Sequence, residues 1–273
     1  MTTLTLRCVP DTMTTPYAVR LADLPAIGLE ALTENAERLT RVDRKYVVPR
    51  TELDAVLEAV GEDAVALEIG ERRTFGYAST YYDTADLRAF HEGGRSRRRR
   101  FKVRTREYLD TGAIWLEVKT RGARGTTVKT RLALDTPVGV TLTDQAAEFV
   151  VQTLATQGIP AVDVAALRPA LDVRYRRSTL AFLSSGSRTT IDTDLTWRGT
   201  GEVDGLTITV PDVAVIETKA GSTPTGVDRA LWSRGHRPVR LSKYGAGLAA
   251  TRPTLPHLKW HRTLTHPLLA LAS

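Results

Sequence analysis

The sequence predicts an α+β protein in which antiparallel hairpins close into a β-barrel around a charged cavity, with helices flanking it. Three observations support this. In Phe101-Lys102-Val103-Arg104-Thr105-Arg106 the cations fall at every second position. Successive side chains of a strand point to opposite faces, so all three cations point the same way. Leu116-Glu117-Val118-Lys119 and Val215-Ile216-Glu217-Thr218-Lys219 each set a carboxylate and an ammonium on one strand face, with apolar residues on the other. Charges cannot enter a dry core unpaired, so such strands read as polar inside and apolar outside. Many of them in succession suggest a closed barrel wide enough to enclose a ligand.

The elements follow in order, with a body over 37–250 between an N-terminal extension, 1–36, and a tail, 251–273. The extension carries a weak helical pattern that runs over 21–39. A strand over 39–48 ends at Pro49, and Thr51 can cap a helix whose Leu53, Val56, Leu57 and Val60 form an apolar stripe stopped by Gly61. Strands over 74–82 and 97–108 come next. The turn Asp110-Thr111-Gly112 joins the second to a strand over 114–120 as a hairpin. A basic turn at 121–125 leads back through 127–134, and Thr143 caps a helix with Ala147, Val150, Val151 and Leu154 inward, closed by Gly158. The second half repeats the outline: strands over 169–182 and 188–197 around a turn at 184–187, a pair over 206–210 and 213–219, a helix over 227–234, and a segment over 238–244.

Composition narrows the function. The 273 residues fit one large domain or two small ones. Lys plus Arg outnumber Asp plus Glu by 38 to 31, and from Arg95 to Arg106 eight residues are basic and none acidic, which favours an anionic partner. The single cysteine, Cys8, excludes an internal disulfide and a cysteine-rich zinc site. With no signal-peptide core and no apolar run long enough to cross a bilayer, the expectation is a soluble cytoplasmic protein. No Gly-x-x-x-x-Gly-Lys loop or nucleophile elbow occurs, and the five histidines lack metal-ligand spacing. Aromatic residues make up 6% and none interleaves with the basic strand as stacking partners would, which weighs against RNA. A cavity lined with cations and a few carboxylates suits a phosphate chain with its metal ion.

Seven motifs occur in sequence order: Asp43-Arg44-Lys45-Tyr46, Arg104-x-Arg106-x-Tyr108, Leu116-Glu117-Val118-Lys119, Tyr175-Arg176-Arg177, Arg188-x-x-Ile191-Asp192, Ile216-Glu217-Thr218-Lys219 and Ser242-Lys243-Tyr244. Together they resemble the VTC domain, the polyphosphate polymerase branch of the triphosphate tunnel metalloenzymes, over 39–248. The resemblance implies a closed eight-stranded antiparallel tunnel that binds ATP and inorganic polyphosphate and uses Mn2+ or Mg2+. It implies a metal-dependent phosphotransferase that moves the terminal phosphoryl group of ATP onto a growing chain. Lys45, Arg104, Arg106, Lys119, Arg177, Arg188 and Lys243 match the phosphate-binding cations, Glu217 matches the metal-binding glutamate, and Glu117 is a weaker metal candidate. Arginine grips phosphate oxygens bidentately and lysine supplies a compact charge, while phosphoryl transfer asks mainly for alignment and neutralisation. The alternatives are a triphosphate or nucleoside-triphosphate hydrolase of the same fold, and a non-catalytic module binding polyphosphate or RNA.

Departures from the resemblance carry information too. The wider superfamily begins with Glu-x-Glu-x-Lys, whereas this chain reads Arg41-x-Asp43-x-Lys45. That argues against the hydrolytic and cyclase branches. Arg177 is out of phase with Arg174 and Arg176, so either a bulge re-aims it or one of those two faces inward. Asp192 and Asp194 share a face and either add metal ligands or orient Arg188. No sequence-specific nucleic acid is expected, and a membrane-protein partner is left open.

Overall fold

The computed structural model describes residues 16–36, 42–60, 63–122, 126–160, 162–200, 206–266 and 269. Residues 1–15 of the N-terminal extension, Arg41, Gly61, the tip of the 121–125 turn and the end of the tail lie outside the described residues. The chain runs α1 (Pro16–Asp23), β1 (Ala26–Ile27), α2 (Leu29–Ala36), β2 (Val42–Pro49), α3 (Leu53–Glu58), β3 (Ala64–Leu67), β4 (Phe75–Asp83), α4 (Arg88–Gly94), β5 (Phe101–Tyr108), β6 (Ala113–Arg121) and β7 (Thr127–Leu134). It continues α5 (Asp144–Thr156), β8 (Arg168–Phe182), β9 (Ser187–Gly199), β10 (Thr207–Val210), β11 (Val213–Ala220), α6 (Gly226–Ser233), α7 (Lys243–Thr251) and α8 (His261–Leu264). No helix among the described residues is long and apolar enough to cross a membrane.

All eleven strands join one sheet whose main path is β2-β11-β9-β8-β4-β5-β6-β7. The path is antiparallel throughout. β10 extends β9, β3 extends β8, and β1 pairs with β3 in parallel.

The closed eight-stranded barrel expected from the sequence is not formed: the sheet is open, with β2 and β7 as its two ends. Closure needs the last strand's hydrogen bonds to reach the first. Instead, the free edge of β2 receives the segment after α6, through Val239 N–H donating to Lys45 O at 2.7 Å. β7 alternates exposed and half-buried residues along its length, as an edge strand does.

The sheet is nevertheless strongly curled. β2 and β5 stand five places apart, about 24 Å if flat at the usual strand spacing. Yet the charge of Lys45 is among those that depress the Lys102 ammonium. The result is a trough.

The two faces of the trough are covered differently. On the convex side Tyr46, Val48, Ile191, Ala214 and Ile216 pack under Leu53, Val56 and Leu57 of α3 and Val227 and Leu231 of α6. α6 is held by a capping box between Thr225 and Asp228. The fully buried Asp228 also accepts from Tyr46 Oη and Thr218 Oγ1, each at 2.7 Å. On the concave side one end is filled by α7. A Cβ on Gly247 would fall on the Trp197 ring and one on Gly245 on Trp260, so these two glycines let the helix lie directly on indole faces.

Several local expectations are corrected. Thr51 sits inside a 3-10 turn, Arg50–Glu52, that runs straight into α3, and no side chain caps that helix. Thr143 does cap α5, accepting from Ala146 N–H, but the buried face is Ala146, Val150, Thr153 and Leu154, with Val151 exposed. Residues 97–100 are not strand, because β5 starts only at Phe101. Of 238–244, the last two residues open α7 behind a Ser242 cap and the rest is irregular.

Candidate functional site

The β5 alternation survives in three dimensions. Phe101, Val103 and Thr105 are buried on the convex side, and Lys102, Arg104 and Arg106 face the trough. Arg104 stands opposite Glu117 in the β5–β6 register. It donates from Nε and Nη2 to Glu117 Oε2 at 2.8 and 2.5 Å, and from Nη1 to Tyr81 Oη at 2.8 Å. Lys129 of β7 approaches the other oxygen at 3.6 Å. Burial works to raise the pKa of the Glu117 carboxyl, but Arg104, Arg106, Lys119 and Lys129 more than offset it and hold the group ionised. Glu117 is 1% exposed and both its oxygens are engaged.

A second carboxylate lies across the trough. Glu217 of β11 is in register with Lys45 of β2, and the ammoniums of Lys45 and Lys219 both reach its Oε1 at 3.0 Å. Burial again opposes ionisation, and the two lysines override it. Burial in turn lowers Lys219 to about 8, against the pull of Glu217. Glu217 Oε2 has no hydrogen bond among the described residues.

The third carboxylate, Asp192, accepts from Arg177 Nε and Nη2 at 2.6 and 2.8 Å and from the Lys243 ammonium. Lys243 is brought there by the first turn of α7, and its ammonium lies 4.6 Å from the Tyr175 ring centroid. The Ser242 hydroxyl caps that helix, accepting from Gly245 N–H at 3.1 Å, and also takes Lys102 Nζ at 2.8 Å.

The phase of Arg177 is now explained. Arg174 pairs with Thr196 and Arg176 with Thr193, so two steps on β8 face three on β9. The extra residue lies in β9, where Asp194 takes φ 55°. β8 itself keeps its alternation: Tyr175 and Arg177 point into the trough, and Arg174 and Arg176 are exposed on the other face. A bulge exists, but in the neighbouring strand. It also turns Asp194 away to pair with Arg50 at 2.6 Å, so Asp194 does not orient Arg188. Asp192 serves Arg177 and Lys243.

The remaining candidates are also on this face. Arg106 donates from Nη2 to Tyr175 Oη at 3.1 Å and lies over Tyr77. Tyr175 feels burial, which raises its pKa, yet Arg177, Arg106 and Lys243 together bring it below the ordinary tyrosine value. Lys119 makes no hydrogen bond among the described residues; Arg104 and burial push its ammonium well down. Arg188 is in register with Lys219 and Ala181. Sequence reasoning passed over Lys102 and Lys219 as site cations, although each continues the two-residue period of a named neighbour. It also missed Tyr81, Tyr175 and Lys129, whose roles depend on pairings between strands.

Among the described residues no three His, Cys, Asp or Glu side chains stand together as a metal site. The carboxylates differ, however. Both oxygens of Asp192 and of Glu117 meet cations, whereas the two lysines at Glu217 both come closest to Oε1. Magnesium and manganese often take one or two protein carboxylates and complete their shells with phosphates and water. The residues therefore fit a divalent ion delivered with a phosphate chain and met by Glu217, and they do not fit one held by Glu117.

Fold and face together define an antiparallel trough lined with cations. The chain belongs to the VTC domain family, whose model matches residues 40–252. No curated protein matches the sequence. Among solved structures, a candidate adenylyl cyclase from Hippeastrum, described as having a dominant triphosphatase activity, is 15% identical with a TM-score of 0.46, over 80% of this chain and 99% of that one. A candidate adenylate cyclase from Vibrio parahaemolyticus is also 15% identical, with a TM-score of 0.39, over 77% of this chain and 84% of its own. A protein of Pyrococcus horikoshii is 10% identical with a TM-score of 0.38, over 72% and 88%.

Proposed function

We propose that the chain is a metal-dependent phosphotransferase that moves the terminal phosphoryl group of ATP onto a growing polyphosphate chain. One observation carries the reading: the three enclosed carboxylates of the trough, Glu117, Asp192 and Glu217, are tied to cations and held well below their usual range. Such groups are too weakly basic to deprotonate water. A chain-terminal phosphate needs no deprotonation, since its second pKa is about 6 and it is already anionic at neutral pH. An excess of cations around sealed carboxylates thus favours a nucleophile that arrives charged.

In this reading the terminal oxygen of the chain bonds to the γ-phosphorus as the bond from that phosphorus to the β–γ bridging oxygen breaks. ADP leaves with the electron pair, and the chain gains one phosphate. Arg106 and Arg188 align phosphate oxygens, and Lys45, Lys119, Lys243 and Arg177, whose fork is held by Asp192, neutralise the charge spread over the transferring group. Arg104, three of whose donors are committed to Glu117 and Tyr81, contributes charge and rigidity more than a free fork. A bound manganese or magnesium ion at Glu217 supplies further neutralisation of phosphate charge. The reading places the protein in the cytoplasm, where ATP is available, and allows a membrane protein to receive the product.

Hydrolysis is the competing reading. Its water would need a base such as Lys102, which burial and the surrounding cations lower to about 7. Incubation with ATP and manganese, followed by a gel stained for polyphosphate and an assay of free phosphate, decides. Polymer with matching ADP is expected; stoichiometric free phosphate without polymer overturns the proposal.

A further inference from the structure

The basic run that opens β5 leads out of the trough into a second group of cations with a different character. Five segments meet there. Lys259, in the 3-10 turn Leu258–Trp260, donates to Gly93 O at 2.5 Å and Ser96 Oγ at 3.3 Å, tying that turn to the end of α4. Arg100 donates to Arg97 O at 2.9 Å within the loop that follows. The backbone of Arg240 is anchored by Thr263 Oγ1 at 2.9 Å, in the segment whose Val239 reaches β2. Arg121 ends β6.

These cations crowd one another without carboxylates. Burial lowers Lys259, and the other charges that lower it further are Arg100, Arg240 and Arg121, all positive. Arg100 is lowered by burial and by Arg121. Lys102 connects the group to the trough, since it feels both Arg104 inside and Lys259 and Arg100 outside. Arg121 and Arg240 are exposed and make no side-chain hydrogen bond among the described residues. In the trough Glu117, Asp192 and Glu217 offset the cations, whereas here positive charge accumulates over several segments with no ion pair to a carboxylate among the described residues. A folded protein tolerates that most readily where an extended anion lies. The aromatic residues beside the group, Phe90, Phe101 and Trp260, are buried and offer no face on which a nucleobase could stack.

We propose that this rim, built by Arg100, Arg121, Arg240 and Lys259, is a second binding site that holds the stretch of a linear polyphosphate chain lying outside the trough. The assignment rests on the polymerase reading for the source of such a chain. Its ligand is distinguished from the nucleotide by length: a triphosphate is held by the trough alone, and only a longer chain spans both.

The test uses the double variant Arg121→Ser/Arg240→Ser, at two exposed positions outside the reaction site. Affinities for inorganic triphosphate, long-chain polyphosphate and single-stranded RNA are measured by calorimetry without ATP, so a protein that never polymerises is still informative. Long-chain affinity is expected to fall by about ten-fold at low salt, and the log–log salt slope to shrink by about two, one for each lost phosphate contact. Triphosphate affinity is expected to stay within about two-fold, since neither exposed residue is among those that would grip it in the trough and exposed charges are weakened by solvent and salt. The proposal is overturned if the wild-type protein does not bind long chains, if the variant binds them unchanged, if triphosphate is lost in equal measure, or if only RNA binding responds. Failure of ATP-driven synthesis with the long-chain effect intact would overturn the polymerase reading and leave the rim standing.

Discussion

Glu117 and Glu217 occupy equivalent-looking motifs, each a carboxylate two residues before a lysine on a strand facing the same trough. Their surroundings separate them. Glu117 sits between β5 and β7 and receives an arginine fork and a lysine, so it is closed off from solvent. Glu217 sits near the β2 end, where both ammoniums come closest to one oxygen and the side chain is 14% exposed. The same spacing therefore yields a buried clamp on one side and a less enclosed carboxylate, the one proposed to meet the metal, on the other. What decides is which neighbours the register supplies.

The largest effect expected from this contrast is on stability. Glu117→Gln leaves the buried Arg104 without its counter-charge, and breaking one partner of a buried pair costs about 3–5 kcal/mol. Urea unfolding should show this loss, and a variant as stable as the wild type would show that the clamp is not structural. Glu217→Gln should cost less stability than Glu117→Gln, because Lys45 is partly exposed, and should abolish metal-dependent turnover. The loss should exceed the roughly 10–100-fold typical of changes one shell away from a metal. Unchanged manganese titrations would remove Glu217 from the metal site.

A smaller effect separates gripping arginines from committed ones. Arg106→Ala should remove charge-assisted hydrogen bonds worth about 1.5–3 kcal/mol from binding of both ATP and triphosphate. Arg106→Lys should rescue that only partly, because an ammonium cannot grip two oxygens in a plane. Full rescue by lysine would show that charge alone matters there.

The smallest effect is on pH dependence. Burial sets Lys102 at about 7 and Lys219 at about 8, both below the unfolded lysine value. Between those values and about 10.4 the unfolded chain holds more protons than the folded one, so these two groups make stability rise with pH across that window. Triphosphate affinity should run the opposite way, weakening as pH climbs through 7 and 8 because ammoniums are lost from the trough. Binding near pH 8 should then take up protons, visible as a dependence of the calorimetric heat on the buffer. A flat affinity over this range would show that the two lysines stay charged.

Much of the site was legible along the chain because strand alternation is local. Lys45, Arg104, Arg106, Lys119, Arg188 and Glu217 all lie on the face their phase assigns. The caps at Thr143 and Thr225 and the turn at Gly112, with φ 70°, follow from chemistry within a few residues of each position. Lys243 reached the trough by another route, from a helix start where a continuing segment was expected. Its two glycines, Gly245 and Gly247, read as loop residues in isolation, and only the indoles of Trp260 and Trp197 explain them.

By itself the sequence determined the strands of the main path apart from the start of β5, their phase, the turns between them and the excess of cations on one face, since each depends on spacings of two to four residues; it did not give β1 or β3. The tertiary structure decided the rest. Whether the sheet closes depends on twist accumulated over eight strands and on what occupies the edge of β2, and the segment carrying Val239 lies there. The phase of Arg177 could not be judged from β8, because the irregularity lies in β9. Which carboxylate stays open is set by partners from strands far apart in sequence, and no local spacing encodes that register.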